Sequence, residues 1–119
     1  MGVFSVTEAM VGWVAGMGYR ACTYPPADPP EVFVTIERTG GGIESYVDHA
    51  TIALQVWAGT PTAAESVAND IRLAMLTSDP PGGIHSVRVT TGPYPFYDES
   101  TRMPRYQMVL DIACQLTTI

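Results

Sequence analysis

The sequence predicts an α+β domain: a mostly antiparallel β-sheet with two helices packed on one face, in the order α-β-β-β-α-β-β. Two stretches repeat apolar residues at helical spacing, and the segments between and after them alternate apolar and polar residues. Each long strand therefore has one apolar and one polar side, so both helices should cover the same face. The length of 119 residues fits a single domain spanning residues 1–119.

The first helix is predicted in "SVTEAMVGWVAGMG", where Ser5 and Glu8 form a capping box and Gly18 is a natural stop. Its apolar stripe comprises Val6, Ala9, Met10, Trp13, Val14 and Met17. Gly12 and Gly16 lie on a second face, where they are either simply tolerated or allow close contact with another subunit.

Three strands follow. "YRACTY" is a short one, and the stiff connector "PPADPP" separates it from the next. "EVFVTIER" alternates, with Val32, Val34 and Ile36 facing one way and Phe33, Thr35 and Glu37 the other. "YVDHATIALQVWA" does the same, with Ala50, Ile52, Leu54 and Val56 opposite His49, Thr51, Gln55 and Trp57.

The second helix is predicted in "TPTAAESVANDIRLAMLTS", with Thr60 as the cap before Pro61. Its buried stripe comprises Ala64, Val67, Ala68, Ile71, Ala74 and Met75. A strand "IHSVRVTTG" follows, then a long loop over Pro93–Pro104. The closing strand "RYQMVLDIACQLT" has an apolar side and a polar side that carries Arg105, Gln107 and Asp111.

Three consecutive glycines, Gly40 to Gly42, pose a choice between a phosphate cradle and a hairpin bend. A phosphate-binding loop leads from a strand into a helix, but these glycines lie between two strand-like stretches. We therefore predict that they form a hairpin connection and supply its positive φ angles. Thr39–Ser45 should then be a mobile loop.

The charge balance argues against nucleic-acid binding and several catalytic chemistries. Asp and Glu total 12, the six basic residues are all Arg, and the formal net charge is −6. Phosphate neutralisation needs clustered Lys and Arg. The missing lysine excludes a P-loop lysine and a Schiff base.

No catalytic or metal-binding set is apparent. His49 and His85 have no ligand partner at metal spacing, and Asp98-Glu99 fits a solvated loop. Cys22 and Cys114 lie on strand-like segments and are expected to be reduced, buried thiols. The sequence predicts neither an enzyme nor a cofactor.

Several short segments, taken in order, resemble the tail terminator (tail completion or neck) proteins of long-tailed, non-contractile bacteriophages. The segments are "VTIERTGG" from Val34 to Gly41, Asp48 and Ala50, Trp57 and Ala58, and "PRYQ" from Pro104 to Gln107. The similarity covers nearly the whole chain.

The resemblance implies a ring, usually hexameric, that caps the tail tube, ends its polymerisation and joins the tail to the head-side connector. The expected partners are further copies of the chain, the tube protein and the connector. DNA would pass through the lumen without specific binding, and the location would be the virion, after assembly in the host cytoplasm. The implied contact loops are Arg38–Gly42 and Pro93–Pro104. The candidate contact residues are Arg38, Gly40, Gly41, Gly42, Trp57, Tyr94, Phe96, Arg102 and Arg105.

Other possible functions are another neck or tail-tube component and a small α+β enzyme or ligand-binding domain.

Trp57 has two alternative roles. It lies on the nominally polar side of its strand, and it is either a satellite of the core or an anchor of a subunit interface.

Overall fold

A computed structural model describes residues 2–97 and 103–118 and confirms the α+β class. The helices are α1 (Val6–Gly16) and α2 (Pro61–Thr77). The strands are β1 (Ala21–Cys22), β2 (Phe33–Glu44), β3 (Val47–Trp57), β4 (Ile84–Pro95) and β5 (Arg105–Cys114). They form one sheet in the order β1-β2-β3-β5-β4. The β1–β2 pair is parallel, and the other three pairs are antiparallel.

Both helices begin where the capping residues predict. The backbone N–H of Glu8 donates to Ser5 Oγ at 3.2 Å, and the N–H of Ala63 donates to Thr60 Oγ1 at 3.1 Å. Each bond satisfies one of the N–H groups that have no partner inside the helix. Pro61 occupies the first turn of α2, where its missing N–H costs nothing.

One hydrophobic core lies between the sheet and the two helices. Val6, Met10 and Val14 of α1 and Ala68, Ile71 and Met75 of α2 belong to the same buried cluster. The sheet contributes Val34, Ile36, Ala50, Ile52, Leu54, Val56, Met108, Leu110, Ile112 and Cys114. Since these strand residues share one side of the sheet, both helices cover that side, as predicted.

The predicted glycine loop is wrong, because the three glycines are part of β2. Gly40, Gly41 and Gly42 pair with Thr51, Ala50 and His49 of β3, after a register shift at Thr39. The hairpin bends later, at Ser45-Tyr46, directly after the Glu44–Val47 pair. The glycines therefore lie inside a long hairpin, directly after a β-bulge at Thr39.

Only Gly41 of the three needs to be glycine. Its φ is +98°, and a Cβ there would overlap the His49 carbonyl and come within 3.0 Å of Ala50 Cα. A Cβ on Gly40 or Gly42 would meet nothing within 4 Å. A glycine with positive φ therefore lets the β2 backbone approach β3 closely at this point, two residues after the bulge at Thr39.

The long loop predicted over Pro93–Pro104 is shorter than expected, because β4 continues to Pro95. Phe96, Tyr97, Met103 and Pro104 are its described residues, while Arg102 lies outside the described part of the chain. Both cysteines are free; Cys114 is buried and Cys22 half-buried. Among the described residues, neither helix combines the length and apolar character needed to cross a membrane.

Candidate assembly surfaces

The outer edge of β2 is open along most of its length. β1 pairs only with Val34 and Thr35, so residues 36–44 have no strand partner on that side within the described structure. Residues 37–44 are all exposed. Alternate backbone N–H and C=O groups along this edge therefore face solvent, in position to pair with another chain.

The hairpin turn presents two large apolar side chains to solvent. Ile43 is 68% exposed and Tyr46 is 89% exposed. Ser45 and Tyr46 have φ angles of 52° and 65°, as a two-residue type I′ turn requires. That turn strongly favours Asn-Gly, so a serine and a bulky tyrosine there adopt an unfavourable backbone conformation.

Arg38 braces the hairpin at the bulge. Its guanidinium donates to both carboxylate oxygens of Asp48, at 2.6 and 2.7 Å, and its Nε donates to the Gly40 carbonyl at 3.0 Å. Hydrogen bonding to Arg38 lowers the pKa of the Asp48 carboxyl, and the same bond raises the pKa of Arg38. Arg38, a predicted contact residue, thus has a structural role within its own chain.

Trp57 is buried on the side of the sheet away from the helices. It is 4% exposed, and its ring stacks on Phe33 at 5.3 Å between centroids. Its indole N–H donates to Thr35 Oγ1 at 3.0 Å, and the Arg105 guanidinium lies 4.4 Å from its ring centre. Trp57 therefore packs within its own chain, next to the main core, and has little surface left for a partner.

A chain of hydrogen bonds crosses this open face of the sheet. Thr35 Oγ1 donates to Gln55 Oε1 at 3.3 Å, and Gln55 Nε2 donates to Gln107 Oε1 at 2.8 Å. Gln107 Nε2 then contacts the Tyr94 hydroxyl. Neighbouring strands are thus joined side chain to side chain by a largely buried row of polar groups, in which Thr35 and Gln107 are buried.

Three predicted contact residues meet at one end of that face. Tyr94 and Phe96 pack edge to face, with centroids 6.3 Å apart. Arg105 donates from Nε to the Phe96 carbonyl at 2.6 Å, and its guanidinium also lies 4.9 Å from the Phe96 ring centre. Phe96 and the neighbouring Tyr97 remain exposed, so this aromatic end can still contact a partner.

A groove of about 560 Å³ runs between α2 and β4. Leu73 and Leu76 of α2, which are 60% and 68% exposed, line it together with Val89 of β4. Arg72 and Arg88 add two positive charges, and Asp70 adds one negative charge.

The sequence patterns predicted neither this groove nor the exposure of Ile43 and Tyr46. The available signal was that Leu73 and Leu76 fall outside the buried stripe of α2. For Ile43 and Tyr46, the available signal was a large apolar residue in or beside a segment expected to be a mobile loop.

The side chains that could bind a metal ion are scattered over the described part of the chain. Within residues 2–97 and 103–118, no three His, Cys, Asp or Glu residues are grouped to hold a metal ion. His49 lies on the open face, near Arg88 and Asp111, whose charged atoms are 3.8 Å apart.

No protein-family model matches the chain, and a search of curated proteins found no match.

Proposed function

We propose that the protein is a structural component of a phage virion. In this proposal it forms a ring on the tail tube, ends tube polymerisation and joins the tail to the head-side connector. The support is the ordered resemblance of its segments to tail terminator proteins, together with surfaces suited to association between chains.

The open edge of β2 is the observation that carries the proposal. A long exposed edge invites pairing with other chains, and proteins that stay monomeric blunt such edges. The opposite edge of this sheet is blunted: β4 has three register irregularities and contains Pro93 and Pro95, which have no N–H to donate. The β2 edge lacks comparable protection beyond its single bulge and a few charged side chains.

The charge of the chain fits a ring through which DNA passes. A formal charge of −6 with no lysine gives phosphates few attractive groups. Nonspecific DNA affinity depends on neutralising phosphates with basic side chains, so an acidic lumen would let the duplex slide.

The same open edge also favours a second candidate, a tail-tube or other neck component. Both candidates self-associate, and they differ in whether growth continues. A terminator stops at one ring, whereas a tube protein stacks into long polymers.

The test is to mix the purified protein with tail tubes and examine it by light scattering and negative-stain imaging. A tail terminator should cap one tube end and should shorten tubes when it is present during their polymerisation. Long polymers of the protein alone would identify a tube component. A protein that stays monomeric and leaves tube length and tube ends unchanged would refute both.

A further inference from the structure

We propose that the β2–β3 hairpin opens at its turn and that two copies of this chain exchange their N-terminal halves to form a dimer. The exchanged half comprises α1, β1 and β2, and it packs on β3, α2, β4 and β5 of the second copy. The hinge is the turn Ser45-Tyr46. The inference does not depend on the proposed ring, because it rests on the geometry of the hairpin alone.

The turn holds backbone strain that opening would release. Ser45 and Tyr46 have φ angles of 52° and 65°, in the left-handed region that residues other than glycine and asparagine adopt at a cost. A short hinge loop under strain favours exchange of segments between copies. The local sequence also suits a strand better than a turn, because Tyr46 and the flanking Ile43 and Val47 are residue types enriched in strands.

The N-terminal half can move as one body. Within it, α1 packs on β1 and β2, and β1 pairs with β2. Its main links to the other half are the β2–β3 pairing, the shared core and the bridge between Val3 and Thr117. A second copy supplies the same partners in the same places, so the completed dimer loses none of these contacts.

The register of the hairpin continues into the dimer without a gap. From the Gly40–Thr51 pair to the Glu44–Val47 pair, each step moves one residue inward on both strands. The next pair in this series is Ser45 with Tyr46, which a single chain cannot make because both residues form the turn. When two opened chains run antiparallel, Ser45 of each copy lies opposite Tyr46 of the other, and one ladder crosses the two-fold axis.

The exposed apolar side chains of the hairpin tip gain partners in this ladder. Ile43 and Tyr46 are 68% and 89% exposed in the single chain. Because Tyr46 of one copy lies opposite Ser45 of the other, it is the diagonal neighbour of Ile43 of that second copy, on the same side of the sheet. Diagonal neighbours are roughly 7–8 Å apart, within reach of an aromatic side chain. The dimer therefore makes two such contacts, one on each side of the sheet.

Two substitutions at the hinge should move the equilibrium in opposite directions. Tyr46→Gly relieves the turn and removes the aromatic contact, so it should lower the association constant at least about tenfold, since two turns form again when a dimer separates. Tyr46→Ile keeps an apolar side chain, but a β-branched residue tolerates positive φ poorly and favours a strand. It should raise the constant at least about threefold. Tyr24→Gly changes an exposed tyrosine outside the hairpin and is the matched control.

Light scattering after size-exclusion chromatography gives the association constants, on samples refolded from urea over a range of protein concentrations. The dimer fraction of the wild type should rise with the concentration at which it refolds. On dilution, the isolated dimer should return to monomer no faster than the monomer unfolds, because α1, β1 and β2 must leave the core before the chains part. Circular dichroism gives that unfolding rate and verifies that each variant is folded.

Three results would overturn the exchange. The first is a wild type that refolds only to monomer at every concentration. The second is a dimer that separates faster than the monomer unfolds, as a contact between two folded chains would. The third is a Tyr46→Gly variant that dimerises as well as the Tyr46→Ile variant. None of these results decides the proposed function, which is tested on tail tubes, because the outer edge of β2 stays open in the exchanged dimer.

Discussion

Replacing Gly41 with alanine should disrupt the distal hairpin. The φ of +98° is strained for an L-residue, at a cost of about 1–2 kcal/mol. The added methyl would also overlap the His49 carbonyl and approach Ala50 Cα to 3.0 Å. Both groups belong to the backbone of the central strand β3, so they cannot rotate away. The combined loss should be at least about 2 kcal/mol.

The matched controls are Gly40→Ala and Gly42→Ala. Neither glycine has a positive φ, and a Cβ at either site would meet nothing within 4 Å. Each alanine should therefore be neutral or stabilise the fold by about 0.4–1 kcal/mol, because it lowers the entropy of the unfolded chain. Three adjacent residues of one type are thus expected to give opposite results.

Urea unfolding followed by circular dichroism measures the free energies, and amide exchange at Val47–Thr51 shows whether the hairpin opens locally. Local opening would limit the global loss to the free energy that holds the distal hairpin together. If Gly41→Ala falls within about 0.5 kcal/mol of the two controls and leaves exchange unchanged, the close approach of Gly41 to the β3 backbone is refuted.

The remaining predictions concern the turn, the tryptophan and an ion pair. Tyr46→Gly should stabilise the monomer by about 0.5–1 kcal/mol in urea unfolding, since positive φ suits glycine; a less stable variant would contradict the strained turn. Trp57→Ala should cost about 3 kcal/mol, because the buried ring loses its stacking on Phe33 and its bond to Thr35; a fully stable variant that fails to assemble would instead place Trp57 in an interface. Asp48 has a lowered pKa in the folded state, so its stabilisation is present above its unfolded pKa of about 3.9 and is lost as pH falls through the lower folded value. Asp48→Asn or Arg38→Gln should therefore flatten the decline of the unfolding free energy below about pH 4. If this free energy falls with pH in either variant as steeply as in the wild type, the role of the ion pair is refuted.

The sequence by itself determined the order of the elements, the capping residues of both helices and the apolar side of each long strand. These features depend on local relations: a repeat of 3.6 or 2 residues, or a hydroxyl three residues before a free N–H. The single core under both helices follows from the same periodicity, because apolar sides must meet to exclude water. The ring function and its partners stay predictions, as does the absence of catalysis.

Only the tertiary structure decided which residues form the turn of the hairpin and which residues pair across it. The register of β2 against β3 pairs Gly41 with Ala50 and moves the bend to Ser45-Tyr46, although the three glycines look locally like the turn. Trp57 is buried because Phe33 and Arg105, distant in sequence, are brought beside it by neighbouring strands. The groove likewise exists only because β4 lies next to α2 in the folded sheet. These features depend on pairings between distant segments, whose energies no local pattern records.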